Sequence, residues 1–197
     1  MTDREALVRE LARDLDGHFE ELVLDYQDTL YRFALRLTNC AADAEDVTQD
    51  AFVRAYTWLK GHPPEPDFQL RPWLYRVTLN VIRNRVRRKT PDKAPLEAAG
   101  TVATREHGPP AVAEQLETRA ELAAQLASLP LRYREAVVLR HVEDLAYEDI
   151  ATALGRPTGT VKSDVHRGLA LLRLALEREG YGEHDGTRDR AGALASR

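Results

Sequence analysis

The chain has 197 residues, a 43% apolar fraction and a formal net charge of −4. That size allows one medium or two small globular domains, and the overall acidity taken by itself argues against a nucleic-acid binder. The single cysteine, Cys40, excludes an internal disulfide framework and a cysteine-rich zinc site. The absence of any long apolar run or signal-peptide core leads us to expect a cytoplasmic protein with no membrane insertion.

Residues 1–17 form an N-terminal leader in which Leu7, Leu11 and Leu15 recur every four residues, fitting a short helix or a frayed segment. From His18 to Leu37 apolar residues repeat at three and four, the period of an amphipathic helix. A break is expected at 39–42. Asp43 then caps a second helix that runs through Val47, Ala51, Phe52, Ala55 and Trp58 to about Lys60. Residues 61–66 hold three prolines and a glycine and form a loop.

The stretch Arg71–Lys89 carries seven basic residues and no acid. Pro72 suits the first turn of a helix there. Arg76, Asn80, Arg83 and Arg87, spaced four, three and four apart, fall in one narrow stripe. Trp73, Leu74, Val77, Val81 and the stem of Arg85 fall on another side. Trp73 opens that apolar face, which favours core packing over base stacking. The bland alternative for the basic run is a solvated charged face.

Residues 91–116 are rich in Pro, Gly, Ala and Thr and read as a flexible linker. Helical pattern resumes near Ala113 and runs to about Ser128. Pro130 opens another helix, whose Arg132, Arg134 and Arg140 either brace phosphates or are surface charge. A short helix, Tyr147–Leu154, leads through a Gly155-Arg156-Pro157 turn to a last helix from about Thr158 to Leu176. Residues 179–197 read as a disordered tail. With no strand pattern, the expected fold is all-α: two small helical domains, 18–90 and 117–178, on a linker.

The second domain carries a helix-turn-helix pattern. Gly155 occupies the left-handed position that ends a helix. Thr160, Lys162, Ser163, His166 and Arg167 lie off the Val161–Val165–Leu169 stripe, as short polar and cationic groups do where a helix reads a major groove. An ordinary helical hairpin is the alternative. In the first domain Asp43, Asp46 and Asp50 sit on adjacent turns. As a metal first shell this is poor, and a protein-docking face suits it better. The histidines show no ligand spacing, and no phosphate loop or nucleophile motif is present. We therefore expect no enzyme, cofactor or metal.

Tyr31-Arg32-Phe33-Ala34, the run Ala44–Phe52, the pattern Pro72–Val77 with Asn80 and Asn84, and Leu145–Arg167 with its Gly-Thr-Val-Lys-Ser core together resemble a bacterial RNA polymerase sigma factor of the extracytoplasmic-function group. The resemblance covers roughly Phe19 to Leu176. It implies a region 2 that docks on the clamp helices of the polymerase's largest subunit through Glu45, Asp46, Gln49, Asp50 and Phe52. It implies that Arg76, Asn80, Arg83, Asn84 and Arg87, with the 61–70 loop, hold the −10 element. It implies a region 4, beside the polymerase flap, whose Thr160, Lys162, Ser163, His166 and Arg167 grip the −35 element. An anti-sigma factor is the implied inhibitor.

Three residues depart from the family pattern. Asp164 replaces the usual Arg, placing an acid toward DNA. Gly168 replaces Ala and weakens its helix by up to about 1 kcal/mol. Ala146 occupies a Ser/Thr cap position. The rival reading is a LuxR-type helix-turn-helix regulator of duplex DNA, with the first domain as sensor or dimerisation module. A metal-dependent enzyme using Asp43, Asp46 and Asp50 is a remote third.

Overall fold

The computed structural model describes residues 3–89 and 122–178. The expected linker and tail lie outside them, as do residues 113–121 of the helix expected to run to about Ser128. All regular structure among the described residues is helical: α1 (Asp3–Arg13), α2 (Leu15–Thr38), α3 (Ala41–Gly61), α4 (Leu70–Lys89), α5 (122–128), α6 (Leu131–His141), α7 (Tyr147–Leu154) and α8 (Thr158–Arg178).

Helices α1–α4 pack as one bundle. The periodic apolar face of α2 supplies Leu22, Tyr26, Leu30, Phe33, Ala34 and Leu37 to its core. The N-terminal leucines belong to it too: Leu7, Val8 and Leu11 are buried. The Asp14 carboxylate accepts from the Gly17 amide and starts α2. At the other end Asn39 adopts a left-handed backbone, φ 52°, and its amide donates to Leu35, so α2 turns into α3 within two residues. Asp43 is consequently not the cap of α3. Cys40 holds that position without a side-chain bond, and Asp43 is left to pair with Arg85 of α4 at 3.1 Å.

Helices α6–α8 form the second unit. Gly155 closes α7 at φ 64°, which a residue with a Cβ adopts only at a cost. Its partner helix α8 buries Val161, Asp164, Val165 and Gly168 on α6. Gly168 is there for space: a Cβ on it would stand 2.5 Å from Val137 Cγ2 and 3.3 Å from the Tyr133 carbonyl oxygen. The presumed propensity defect is thus a close-approach device. Ala146 does cap α7 and makes no side-chain bond. Ala146→Ser is expected to add about 1 kcal/mol and raise the melting temperature by a few degrees, read by thermal denaturation.

Arg132, Arg134 and Arg140 do not form a phosphate-bracing face. Arg134 is buried, and burial lowers its pKa. It donates to the carbonyls of Ala127, Leu129 and Leu37, stitching the ends of α5 and α2 to α6. Cationic groups are favoured at such helix C-termini. Arg132 pairs with Asp164 and Arg140 with Leu145 and Asp144. The two units touch along α4–α7 and α2–α6, and their apolar cores merge.

Candidate nucleic-acid interface

The basic helix α4 presents a buried face, a side paired with α3 and an exposed polar stripe. Leu74, Tyr75, Thr78, Leu79, Val81 and Ile82 are buried, and the Tyr75 ring meets Phe33 edge-on at 4.8 Å. Arg85 leans the other way, onto α3. It donates to Asp46 at 2.6 Å and to Asp43 at 3.1 Å, and the bond to Asp46 is the main cause of its raised pKa. A guanidinium therefore already binds both carboxylates that a metal would need. Within the predicted stripe, Arg76, Asn80 and Arg87 are exposed; beside it Asn84 is half-buried and accepts from Arg87 at 3.0 Å, and of the stripe only Arg83 turns inward. Arg83 departs from it and reaches the second unit.

Beside Arg76 and Asn80 opens a cavity of about 590 Å³, lined by Arg54, Trp58, Phe68, Gln69, Trp73, Arg76, Val77, Asn80 and Thr152. Its floor is aromatic. Trp58 lies 4.9 Å from Trp73, 5.8 Å from Phe68 and 4.7 Å from the His62 ring, stacked on the last at 9°. Trp58 stays 38% exposed although a Trp of α3 would gain by burial. Trp73 packs against the core, as expected, and its remaining surface walls this cavity. The chemistry offered is flat π-surface flanked by a cation and an amide, the pairing that holds an unstacked base. The sequence reading missed Trp58 as anything but core. Phe68, an aromatic next to a proline-rich loop, was the available signal.

On α3, Glu45, Asp46, Gln49 and Asp50 are exposed along one side. Phe52 is not: at 8% exposure it packs edge-on against Phe19, so it positions the helix and offers little contact surface. On α8, Lys162, Ser163, His166 and Arg167 are exposed and Thr160 partly so. Lys162 lies over the Tyr147 ring at 5.4 Å, and the Ser163 hydroxyl donates to the Gly159 carbonyl at 3.0 Å. Asp164 faces inward. It is 1% exposed and accepts from Arg132 at 3.0 Å and Arg156 at 3.2 Å. Its phase with Val161, Val165 and Gly168 puts it on the buried face, so it does not point at DNA.

The family profile for Sigma-70 region 2 matches residues 22–91, and that for Sigma-70 region 4 matches 119–172. The chain is 30% identical over 178 residues to ECF RNA polymerase sigma factor SigW of Bacillus subtilis, covering 86% of this chain and 94% of the relative. This chain belongs to the extracytoplasmic-function sigma factors.

A second relative, ECF RNA polymerase sigma factor SigE of Mycolicibacterium smegmatis, is 37% identical over 159 residues; the match covers 79% of this chain and 60% of the longer relative. The solved structure of the sigma factor RpoE in complex with the anti-sigma factor NepR, from Bartonella quintana, superposes with a TM-score of 0.63 at 25% identity, over 81% of this sigma factor and 96% of RpoE. Region 2 thus spans α2–α4, with the acidic side of α3, the basic stripe and the aromatic cavity. Region 4 holds α6–α8. Because the first domain is itself a sigma region, the LuxR-type reading loses the sensor or dimerisation module it requires. No helix among the described residues is long and apolar enough to cross a membrane.

Two further residues emerge only from the fold. Glu135 of α6 and Glu143, after α6, are buried acids of region 4, at 1% and 7% exposure. Glu135 accepts both bonds of Arg83, at 2.8 and 2.7 Å, and one from Arg156 at 3.0 Å. Its grip is the main cause of the raised Arg83 pKa. Glu143 accepts from the Tyr75 hydroxyl at 2.6 Å and from Arg36 at 3.4 Å, and its backbone carbonyl accepts from Arg71 at 2.5 Å. Burial, then the bond to Glu143, pushes the Tyr75 hydroxyl well above its ordinary pKa.

Proposed function

We propose that this sigma factor opens promoters by capturing an unstacked −10 base in the cavity between Trp58, Trp73, Arg76 and Asn80. The sigma factor directs core RNA polymerase to specific promoters, and the proposal assigns the work to named residues. The observation that carries it is the coincidence of the exposed Trp58 ring and the half-buried Trp73 ring, 4.9 Å apart, with an exposed arginine and asparagine of α4. Taking a base out of the stack costs a few kcal/mol. Aromatic stacking returns roughly 1–3 kcal/mol per base, and cationic groups that track the strand supply the rest. Arg76, Arg83 and Arg87 serve as those cations, and the Asn84 amide hydrogen-bonds the strand, with the 61–70 loop beside them.

Region 4 reads or grips the −35 element through Thr160, Lys162, Ser163, His166 and Arg167, presented at the start of α8 as in other helix-turn-helix readers. The exposed acids Glu45, Asp46 and Asp50, with Gln49, face a basic surface of the polymerase, the clamp helices of its largest subunit, while region 4 lies at the flap. Charge complementarity there favours rapid, oriented docking. An anti-sigma factor competes for the same sigma surfaces. The protein acts in the cytoplasm as a binding and strand-opening subunit and catalyses no reaction itself.

Transcription by core polymerase on genomic fragments, with and without this protein, tests the reading. Promoter-specific starts are expected only in its presence. Tight duplex binding by the protein alone, with no specific start, overturns it. The double variant Asp46→Ala, Gln49→Ala is expected to weaken polymerase binding about tenfold while region 4 stays folded. The lost exposed bond to Arg85 contributes little to stability. Titration of labelled sigma factor against core polymerase reads this out.

A further inference from the structure

The corner between α1 and α2 brings together three groups that no short spacing in the sequence joins. Helix α1 ends at Arg13 and α2 begins at Leu15, so the chain changes direction at Asp14. Burial of Leu7, Val8 and Leu11 holds α1 on the bundle, and the Asp14 carboxylate is taken up by the Gly17 amide. Glu10 therefore comes from the last turn of α1. His18 and Glu21 come from the first turns of α2, three residues apart and so on one side of that helix. His18 Nδ1 stands 3.7 Å from Glu10 Oε2 and 3.5 Å from Glu21 Oε2. One ligand atom from each of the three lies within 4.8 Å of the others.

We propose that Glu10, His18 and Glu21 form a site for a divalent metal ion of the zinc class, which clips α1 to α2. The donor set fits. One imidazole nitrogen and two carboxylates are ligands zinc takes, with water in the fourth position, whereas calcium and magnesium favour oxygen alone. The three side chains are roughly half exposed, which leaves that fourth position open to solvent. The spacing fits as well. Zinc bonds of roughly 2.0–2.2 Å set a tetrahedral ligand edge of about 3.4 Å. The two edges through His18 are within a few tenths of an ångström of that, and both are longer than an ordinary hydrogen bond.

Charge sets this cluster apart from the other converging acids. Asp43 and Asp46 share Arg85, and Glu135 and Asp164 share Arg156. Glu10 and Glu21 converge on an imidazole instead, and among the described residues neither is matched by a lysine or an arginine. A protonated imidazole brings one positive charge to two anions, and a divalent ion brings two. The rival occupant is that proton, which makes the three groups an exposed ion-pair cluster of little worth to stability. The site stands apart from the promoter-opening role proposed above, and its test needs neither polymerase nor DNA.

The full chain, stripped of metal by a chelator, is titrated with zinc chloride and followed by calorimetry. Wild type is expected to bind zinc with an affinity that falls at least tenfold in His18→Gln and in Glu10→Gln, since each removes one of three protein ligands. Both replacements keep a polar side chain of similar size at a half-exposed position, so the circular dichroism spectrum is expected to be unchanged. Cys40 and every other histidine are present in both variants, so the difference belongs to this cluster. Zinc at a hundred times its dissociation constant is expected to raise the wild-type melting temperature by several degrees, and that of either variant by less. Cobalt(II) in place of zinc is expected to give wild type the intense visible bands of a four-coordinate ion, lost in His18→Gln. If both variants bind zinc as tightly as wild type does, or wild type binds none, the three residues are an ion-pair cluster and the metal site is overturned.

Discussion

Asn80→Ala is expected to cut promoter opening by roughly ten- to a hundred-fold while leaving polymerase binding unchanged. Asn80 is exposed on α4 at the lip of the aromatic cavity, one turn from Arg76. An amide there supplies both a donor and an acceptor to the edge of a base. Losing such a contact removes about 1–3 kcal/mol at the step where a stacked base is exchanged for a captured one. Because the side chain is exposed, its truncation leaves the bundle intact, so the deficit belongs to opening. Permanganate reactivity of promoter thymines reports the open state directly. A template already unpaired at −10 is expected to narrow the deficit, since the unstacking cost has been met. Equal opening by Asn80→Ala and wild type would remove Asn80 from strand capture.

Gly168→Val is expected to lower the melting temperature of region 4 by roughly 10–20 °C, the scale of about 2–3 kcal/mol of overpacking in a small domain. Two effects oppose each other at this position. Helix propensity alone favours replacing glycine by alanine, by up to about 1 kcal/mol. Packing disfavours it, because the new Cβ would meet Val137 Cγ2 at 2.5 Å and the Tyr133 backbone at 3.3 Å. Val137 can rotate away from a methyl group. The Tyr133 carbonyl, fixed in α6, cannot retreat from a branched side chain. The expected order of stability is therefore Gly, Ala, Val. A melting temperature raised by Gly168→Ala would show that glycine does not set the α6–α8 distance.

The helices were legible because each carries its own signal in a short window. The i, i+3, i+4 repeats of α2, Gly155 after α7 and the prolines before α4 are local features, and local features survive without tertiary knowledge. Where the reading failed, the deciding partner was elsewhere. Asp43 has the chemistry of a cap, but Asn39 had already turned the chain and Arg85, on another helix, claimed the acid. Arg132 and Arg134 look like phosphate-binding groups, but Asp164 holds the first and three backbone carbonyls hold the second. Asp164 differs: its helical phase with Val161 and Val165 is local and legible, and that phase, not its charge, decides that it is buried.

Glu135 and Glu143 were beyond reach from sequence. Their partners Arg83, Tyr75 and Arg36 lie 52, 68 and 107 positions away, and nothing local marks an acid as buried. The cavity was half legible. The stripe Arg76–Asn80 was visible, but Trp58 was absorbed into the apolar repeat of α3.

Asp164 divides α8 into an inner and an outer surface with separate fates. Arg132, Asp164, Arg156, Glu135 and Arg83 form an alternating chain of charge that anchors the inner side. The outer residues Thr160, Lys162, Ser163, His166 and Arg167 take no part in it. On the −35 reading proposed for them, selection can therefore rewrite the outer side one residue at a time, trading one promoter set for another, at almost no cost to folding. Fidelity of the scaffold and drift of the regulon are decoupled within a single helix.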